Sequence, residues 1–431
     1  MNIVMMTNTY LPHVGGVARS VAAFSTEYRR RGHRVLVVAP EFPDTPADET
    51  DVIRIPAIQN FNASDFSVAL PVASGLNEAL DSFVPDIIHA HHPFLLGMTA
   101  LRVARARQLP LVFTHHTRYE QYTHYVPADS PRMQRFAIEL ATTYANLCDQ
   151  VIAPSNSIAV LLRERGVTTP VSEIPTGVQV ENFAHGDGSA IRQQLSIPAG
   201  AFVIGHLGRL APEKNLVFLA RAVADFLHTR ADAHFLVIGS GPSEPDMHKV
   251  FDTAGLAARL HIAGILQSAE LADALHAMDV FVFASHSETQ GMVLTEAMAA
   301  GVPVIALDAP GVREVVRDRI NGRLLEQQKR EDFTAALGWF AGRSPQQRKA
   351  LGQAARDTAD SFSLQRTAEK ALRVYTTVQS RLQPGAYTEN SDNQTLNRII
   401  NLIKAEWEIV KGMAEAGGAV LRQDNTDHES E

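Results

Sequence analysis

The sequence predicts an α/β protein built from two doubly wound domains in series, and three observations predict it. Short β-type runs alternate with helical segments along most of the 431 residues, the mark of parallel strands joined by crossover helices. The pattern begins at Ile3-Val4-Met5-Met6 and starts over at Phe202-Val203-Ile204-Gly205, so two such arrays follow one another and are expected to face a cleft. A chain of this length, 45% hydrophobic and 20% charged, can close a sizeable core in each half.

Composition excludes several classes. The net charge is −8, but residues 384–431 hold 4 basic and 9 acidic side chains, leaving a near-neutral body of 35 and 38. Binding along a nucleic-acid backbone needs a basic field, so nucleic acid is not an expected partner. Cys148 stands alone, which rules out an internal disulfide and a cysteine zinc site. Met1-Asn2 leads straight into an apolar strand without the basic start and long apolar core of a signal peptide, and no uncharged apolar run is long enough to span a bilayer. The expected compartment is the cytoplasm.

In chain order, a strand over 2–7 is followed by the loop Tyr10–Val17 and a helix from about Val17 to Arg31, with Val17, Val21, Phe24 and Tyr28 at helical spacing. Gly15 and Gly16 in that loop would let the backbone approach a bulky anionic ligand; the plainer reading is a turn. It is not a G-x-G-x-x-G loop, which argues against a dinucleotide redox site. Strands at Arg34–Ala39 and Val52–Ile55 come next. Two further strands then end in histidine-bearing loops, His89-Ala90-His91-His92 and His115-His116. Five histidines invite a metal site, but helical i, i+4 spacing is absent and acidic partners are sparse. They read better as neutral hydrogen-bonding groups at a ligand's edge. Tyr119, Tyr122 and Tyr125 recur every third residue, suited to one face of a short helix or turn, where tyrosine can pack or meet a boundary that is apolar on one side and wet on the other. A strand over Val151–Ala153, a helix to about Arg165 and Val171–Ile174 complete the first array.

The second array opens with the loop Gly208-Arg209-Leu210-Ala211-Pro212-Glu213-Lys214-Asn215 before a long helix. Arginine offers phosphate a fork and lysine a compact charge, although an isolated pair at a helix start is more often solvated. Val237-Ile238-Gly239-Ser240-Gly241 is a second glycine loop after a strand. The stretch from Phe283 to Ile305 then runs strand, polar loop, Gly291, helix, Gly301 and Pro303, strand. Glu288 in the loop and Glu296 about one and a half turns into the helix flank amides that carry partial positive charge, a natural place for a phosphate or sugar oxygen.

The string S-E-T-Q-G-M-V-L-T-E-A-M-A-A-G-V-P-V-I resembles the E-x7-E signature of the retaining GT-B glycosyltransferases often called family 4. G-R-L-A-P-E-K-N is similar to that family's G-R-L-x-x-E-K-N, and I-P-T-G-V to its I-P-x-G-V crossing between domains. The resemblance spans about residues 1–381 and implies domains at 1–178 (acceptor side) and 179–361 (nucleotide sugar), with a terminal helix over 362–383 returning to the first. It implies transfer of a sugar, with retention, from a nucleotide-diphosphate donor, UDP-sugar favoured, to a hydroxyl acceptor. His116, Arg209, Lys214 and Glu288 would be catalytic. Gly15, Gly16, Gly239, Gln290, Gly291, Met292, Val293 and Glu296 would bind the donor, with Glu296 on ribose. In the absence of an Asp-x-Asp motif no metal is expected, and no other cofactor. The stretch H-T-R-Y-E-Q-Y-T-H-Y is similar to bacterial enzymes that glucosylate diacylglycerol, which makes a membrane lipid the favoured acceptor and His13, His91, Tyr119, Tyr122 and Tyr125 candidates on the acceptor side. A soluble sugar, sugar-phosphate or polysaccharide acceptor is the alternative. A nicotinamide dehydrogenase would need the missing G-x-G-x-x-G, and a non-catalytic nucleotide-binding protein would not need the full set of sugar and diphosphate contacts.

Residues 384–431 lie outside the resemblance: a linker, an amphipathic helix expected over 394–416 and a polar tail. Leu396, Ile400, Ile403, Trp407, Val410 and Ala414 alternate four and three apart, a seam that would join a second chain into a homodimer, dock on the body or lie on the membrane as a peripheral contact.

Overall fold

Strands that are apolar on both faces need layers of helix above and below them, and this chain supplies them twice. The computed structural model describes residues 1–13, 15–46, 48–58, 68–69, 75–121, 130–266, 268–286 and 288–381. These fall into two units, one of Met1–Pro175 with the residues from Thr367 on, the other of Thr176–Arg366.

In the first unit, β1 (Asn2–Met6), β2 (Arg34–Pro40) and β3 (Val52–Ile55) step outward in one direction. A two-residue antiparallel pair, β4 (Ala57–Ile58) and β5 (Val68–Ala69), follows them. The chain then returns to the other side of β1 with β6 (Ile87–Ala90) and steps outward again through β7 (Leu111–Thr114), β8 (Gln150–Ala153) and β9 (Val171–Glu173). The seven-stranded order is β3-β2-β1-β6-β7-β8-β9, parallel throughout. The switch of direction therefore lies between β1 and β6, where Met5 is in register with both Val37 and His89. The crossovers are α1 (Gly16–Arg30), α2 (Leu76–Phe83), α3 (Leu96–Arg107), α4 (Pro131–Asn146) and α5 (Asn156–Glu164). Val21, Phe24 and Tyr28 of α1 are buried and Val17 is half-buried, as the helical spacing predicts.

In the second unit, α6 (Gly188–Gln194) precedes β10 (Phe202–Leu207), α7 (Leu216–Thr229), β11 (Ala233–Ile238), α8 (Glu244–Thr253), β12 (Leu260–Ile262), α9 (Ser268–His276), β13 (Val280–Phe283), α10 (Met292–Ala299), β14 (Val304–Leu307) and β15 (Gly322–Leu325). The parallel order β12-β11-β10-β13-β14-β15 is the 3-2-1-4-5-6 winding of a nucleotide-binding sheet. Alternate strand residues feed two cores: Val203, Leu236, Phe281 and Val304 pack on one face, Ile204, Phe235, Val282 and Ile305 on the other. Helices α11 (Arg330–Ala341) and α12 (Pro345–Ser361) close the layer, the latter started by a capping box between Ser344 and Gln347. The final helix, α13 (Leu364–Arg381), buries Tyr375 and Val378, and Tyr375 belongs to the first unit, where it meets Tyr28 edge-on at 5.8 Å. The stretch 310–315 after β14 is a run of turns in which Gly311 adopts φ +79°. The seam expected over 394–416, with Tyr122 and Tyr125, lies outside the described residues.

Candidate active site

In an open parallel sheet, ligands meet the carboxyl edge where the winding reverses. In the second unit that point lies between β10 and β13, and the two loops that leave it carry Arg209 and Lys214 on one side, Ser285 to Gly291 on the other. Backbone and side-chain bonds stitch the loops together. Asn215, held at φ +56°, donates from Nδ2 to the Ala284 carbonyl at 3.3 Å and meets His286 Nε2 at 2.9 Å. Ser285 Oγ donates to the Glu213 carbonyl at 3.3 Å. Lys214 Nζ pairs with Glu288 Oε1, with side chains only 18% and 15% exposed. Burial by itself would raise the Glu288 carboxyl. The Lys214 charge, hydrogen bonds from Lys214 and Ser285 and the Gly291 amide outweigh it and hold the group below its ordinary range. Arg209 is exposed at the tip of its loop.

Helix α10 begins at Gly291, which adopts φ +70° and gives no side-chain cap. The first amides of the helix, beginning at Met292 and Val293, both half-buried, thus have no capping side chain. Glu296 is buried in the next turn, 4% exposed. Gly239 has a local reason to be glycine: at φ +130°, an added Cβ would lie 1.9 Å from the Gly208 carbonyl oxygen. The close approach lets Gly208 N–H bond Ile238 and Leu210 N–H bond Ser240, so the glycine loop after β11 braces the loop that bears Arg209.

In the first unit the switch-point loops are joined by Asn8. Its N–H donates to His92 Nδ1 at 3.1 Å, its Nδ2 to the Phe94 carbonyl at 3.0 Å, and its Oδ1 accepts from Leu96 N–H at 3.1 Å. Behind them the histidines bond one another and their neighbours. His89 spans Tyr375 Oη at 2.6 Å and Thr114 Oγ1 at 2.7 Å, and His91 Nδ1 lies 2.9 Å from His116 Nε2 with the rings stacked. Burial pushes His91 and His116 well below their ordinary pKa and His89 and His92 down to about 3. These are neutral imidazoles. Among the described residues no group of three histidine, cysteine or acidic side chains could hold a metal ion.

The amino-terminal region, residues 14–182, matches the model of the family described as Glycosyltransferase Family 4, and residues 187–358 match Glycosyl transferases group 1. The alpha-monoglucosyldiacylglycerol synthase of Streptococcus pneumoniae is 31% identical over 333 residues, covering 75% of each chain. The chain belongs to glycosyltransferase family 4. The synthase of the same name from Acholeplasma laidlawii is 30% identical, over 75% of this chain and 84% of its own. A GDP-mannose-dependent alpha-mannosyltransferase of Mycobacterium tuberculosis is 30% identical over 75% of this glycosyltransferase and 84% of its own length. Among solved structures, Anabaena HepE in complex with UDP and glucose superposes with a TM-score of 0.70 at 21% identity, over 88% of this chain and all of that one. Such neighbours carry the GT-B fold, so the predicted fold class is the observed one.

The glycosyltransferase gathers Arg209, Lys214, Glu288, Gly291, Met292, Val293 and Glu296 along one sheet edge of the second unit. His91 and His116 come together in the first unit, and Tyr119 sits edge-on to Phe94 at 5.2 Å and His115 at 5.5 Å. His13 stacks on Phe42 at 5.6 Å, and Gly15 and Gly16 start α1, with Gly15 in an extended conformation open to any residue. Gln290 is placed with the donor loop, but its carboxamide bonds the Thr176 backbone. Sequence reasoning missed His206, buried under the Gly208 turn with Nδ1 3.0 Å from the Val282 carbonyl and its pKa lowered by burial to about 4. The one signal was a histidine inside the apolar strand Phe202–Leu207. Ser285 and Tyr375 carried no signal at all.

Proposed function

We propose that this glycosyltransferase moves a hexosyl group, with retention, from a nucleoside-diphosphate sugar to a lipid hydroxyl of the diacylglycerol type. The observation that carries the donor reading is the Lys214–Glu288 pair on the β10 and β13 loops, beside Arg209 and the uncapped start of α10. As the bond from the anomeric carbon to the diphosphate oxygen breaks, negative charge grows on the leaving group. Arg209 and Lys214, already fixed in place, favour that charge more than the ground state. Glu288 exchanges its lysine partner for a sugar hydroxyl, and Glu296 takes a ribose hydroxyl. The acceptor oxygen forms the new bond on the same face, and its proton passes to the departing phosphate oxygen, so no protein base is required. His116, neutral and backed by His91, accepts or donates a hydrogen bond at the sugar. No metal takes part in this scheme.

Two relatives named for glucosyldiacylglycerol support the lipid acceptor and glucose as the sugar. Among the described residues no helix is long and apolar enough to cross a membrane; on this reading the lipid is met at a membrane face. A soluble acceptor is the second reading, favoured by the D-inositol 3-phosphate glycosyltransferase of Actinosynnema mirum, 32% identical over 67% of this chain. The deciding experiment offers UDP-glucose and GDP-mannose, each radiolabelled, to the purified protein with diacylglycerol vesicles or with inositol phosphate and free sugars. Label in an α-linked glycolipid is the expected result. Label only in water-soluble product would replace the lipid reading, and no transfer from any donor would overturn the whole.

A further inference from the structure

Gln290 lies between Glu288 and Gly291, and both polar ends of its side chain are engaged by one residue. Its Oε1 accepts from the Thr176 N–H at 2.6 Å and its Nε2 donates to the Thr176 carbonyl. Both residues are 5% exposed. One side chain thus satisfies both backbone groups of a residue 114 positions earlier. A carboxamide is the uncharged side-chain group that offers donor and acceptor side by side.

Thr176 is where the chain enters the second unit. Two residues later, Val178 N–H donates to the Phe362 carbonyl at 2.9 Å, and Leu364 N–H donates to the Val178 carbonyl at 2.9 Å. Phe362 and Leu364 stand just before Thr367, where the chain leaves that unit. The entering and leaving segments are therefore backbone-paired, and Gln290 fastens the pair to the loop of Glu288. On its other side the same loop is pressed by Gly311, where an added Cβ would lie 2.5 Å from the Gln290 amide nitrogen.

We propose that Gln290 is a positioning residue for sugar transfer, one that fixes the Glu288–Gly291 turn against the paired connecting segments and does not itself touch the donor. The inference rests on the donor-site reading above. It makes the aim of Glu288 and of the first α10 amides depend on the seating of Thr176, so loosening the clamp misplaces the groups that meet the sugar while leaving Arg209 and Lys214 on their own loop.

The test uses the full chain as wild type, Gln290→Leu, Gln290→Glu and Lys214→Ala. Turnover is measured with the active nucleotide sugar, UDP and GDP affinity by calorimetry, and amide exchange over residues 288–296 by mass spectrometry. Gln290→Leu should lower kcat by about 100-fold, the effect of a misplacement near 1 Å. Nucleoside-diphosphate affinity should fall far less than kcat, since Arg209 and Lys214 stay in place. Amide exchange at the start of α10 should quicken. Gln290→Glu keeps the acceptor for Thr176 N–H but turns a carboxylate oxygen towards the Thr176 carbonyl. Protonation restores the donor, so its turnover relative to wild type should rise as pH falls from about 8 to about 5.5, with no such rise in Gln290→Leu. Full activity in both Gln290 variants, with Lys214→Ala inactive, overturns the inference and leaves the donor site standing. An active Lys214→Ala overturns the donor-site reading instead, and unchanged amide exchange in the Gln290 variants then rejects the clamp independently. Equal losses of kcat and nucleotide affinity would mark Gln290 as a donor contact, which also overturns it. Should Gln290→Leu fail to fold, Gln290→Glu at low and high pH decides the matter.

Discussion

Removing Lys214 should separate what the ion pair does for stability from what it does for transfer. In Lys214→Ala, Glu288 keeps its burial, 15% exposed, but loses its counter-charge and one hydrogen bond, retaining Ser285 and the Gly291 amide. Breaking a fully buried pair costs about 3–5 kcal/mol; with both side chains partly wetted, about 1–3 kcal/mol is expected here. Glu288→Gln in the same chain removes the stranded charge and should return most of that stability. It should not return activity if, as proposed, the lysine serves the leaving diphosphate, since losing one fixed charge-stabilising group costs about 10²–10³ in turnover. The pH dependence has a definite sign. In the wild type the depressed Glu288 carboxyl gives stability that is present above the ordinary carboxylate range and lost as pH falls through its lower folded value. In the variant burial dominates and the carboxyl rises, so the stability gap is widest near neutrality and closes as pH falls through about 4. Thermal denaturation from pH 4 to 8 and a radiolabelled transfer assay read the two effects. Wild-type turnover in Lys214→Ala, or a stability loss that Glu288→Gln leaves untouched, would refute the reasoning.

Other outcomes follow from the same geometry. His89, His92, His115 and His206 are pushed by burial to about 3–4, below an unfolded imidazole, so their contribution is present above about pH 6.5 and lost as pH falls. Urea midpoints should drop as pH falls from about 6.5 to about 4.5, and a flat profile would contradict neutral burial. Gly239→Ala forces a Cβ to 1.9 Å from the Gly208 oxygen, so stability should fall by roughly 2–4 kcal/mol and nucleoside-diphosphate affinity should fall with it, measured by calorimetry. EDTA should leave transfer unchanged; abolition by the chelator and rescue by Mg²⁺ or Mn²⁺ would call for a metal in the mechanism.

The winding and much of the donor edge were legible because they are local. Parallel strands buried on both faces must be apolar runs, and a phosphate-facing turn must place glycine and cations within a few residues of a helix start. That is why the restart at Phe202, the Gly208–Asn215 loop and the Glu288-to-Glu296 spacing stood out before any coordinate. The five histidines were legible as a cluster but not as a network: whether they bind a metal or one another depends on groups such as Tyr375, which is 286 residues from the His89 it bonds.

The order of residues along the chain thus determined which segments become strands, which loops carry charge and which family the protein joins, since each rests on periodicity or on motifs a few residues long. Tertiary structure decided the pairings. Lys214 meets Glu288 across 74 residues and Gln290 meets Thr176 across 114, because a doubly wound sheet brings β10 and β13 side by side only after three crossovers have closed. A hydrogen bond made by such closure leaves no local pattern in sequence, and for that reason neither the Lys214–Glu288 pair nor the Gln290–Thr176 pairing could be read from it.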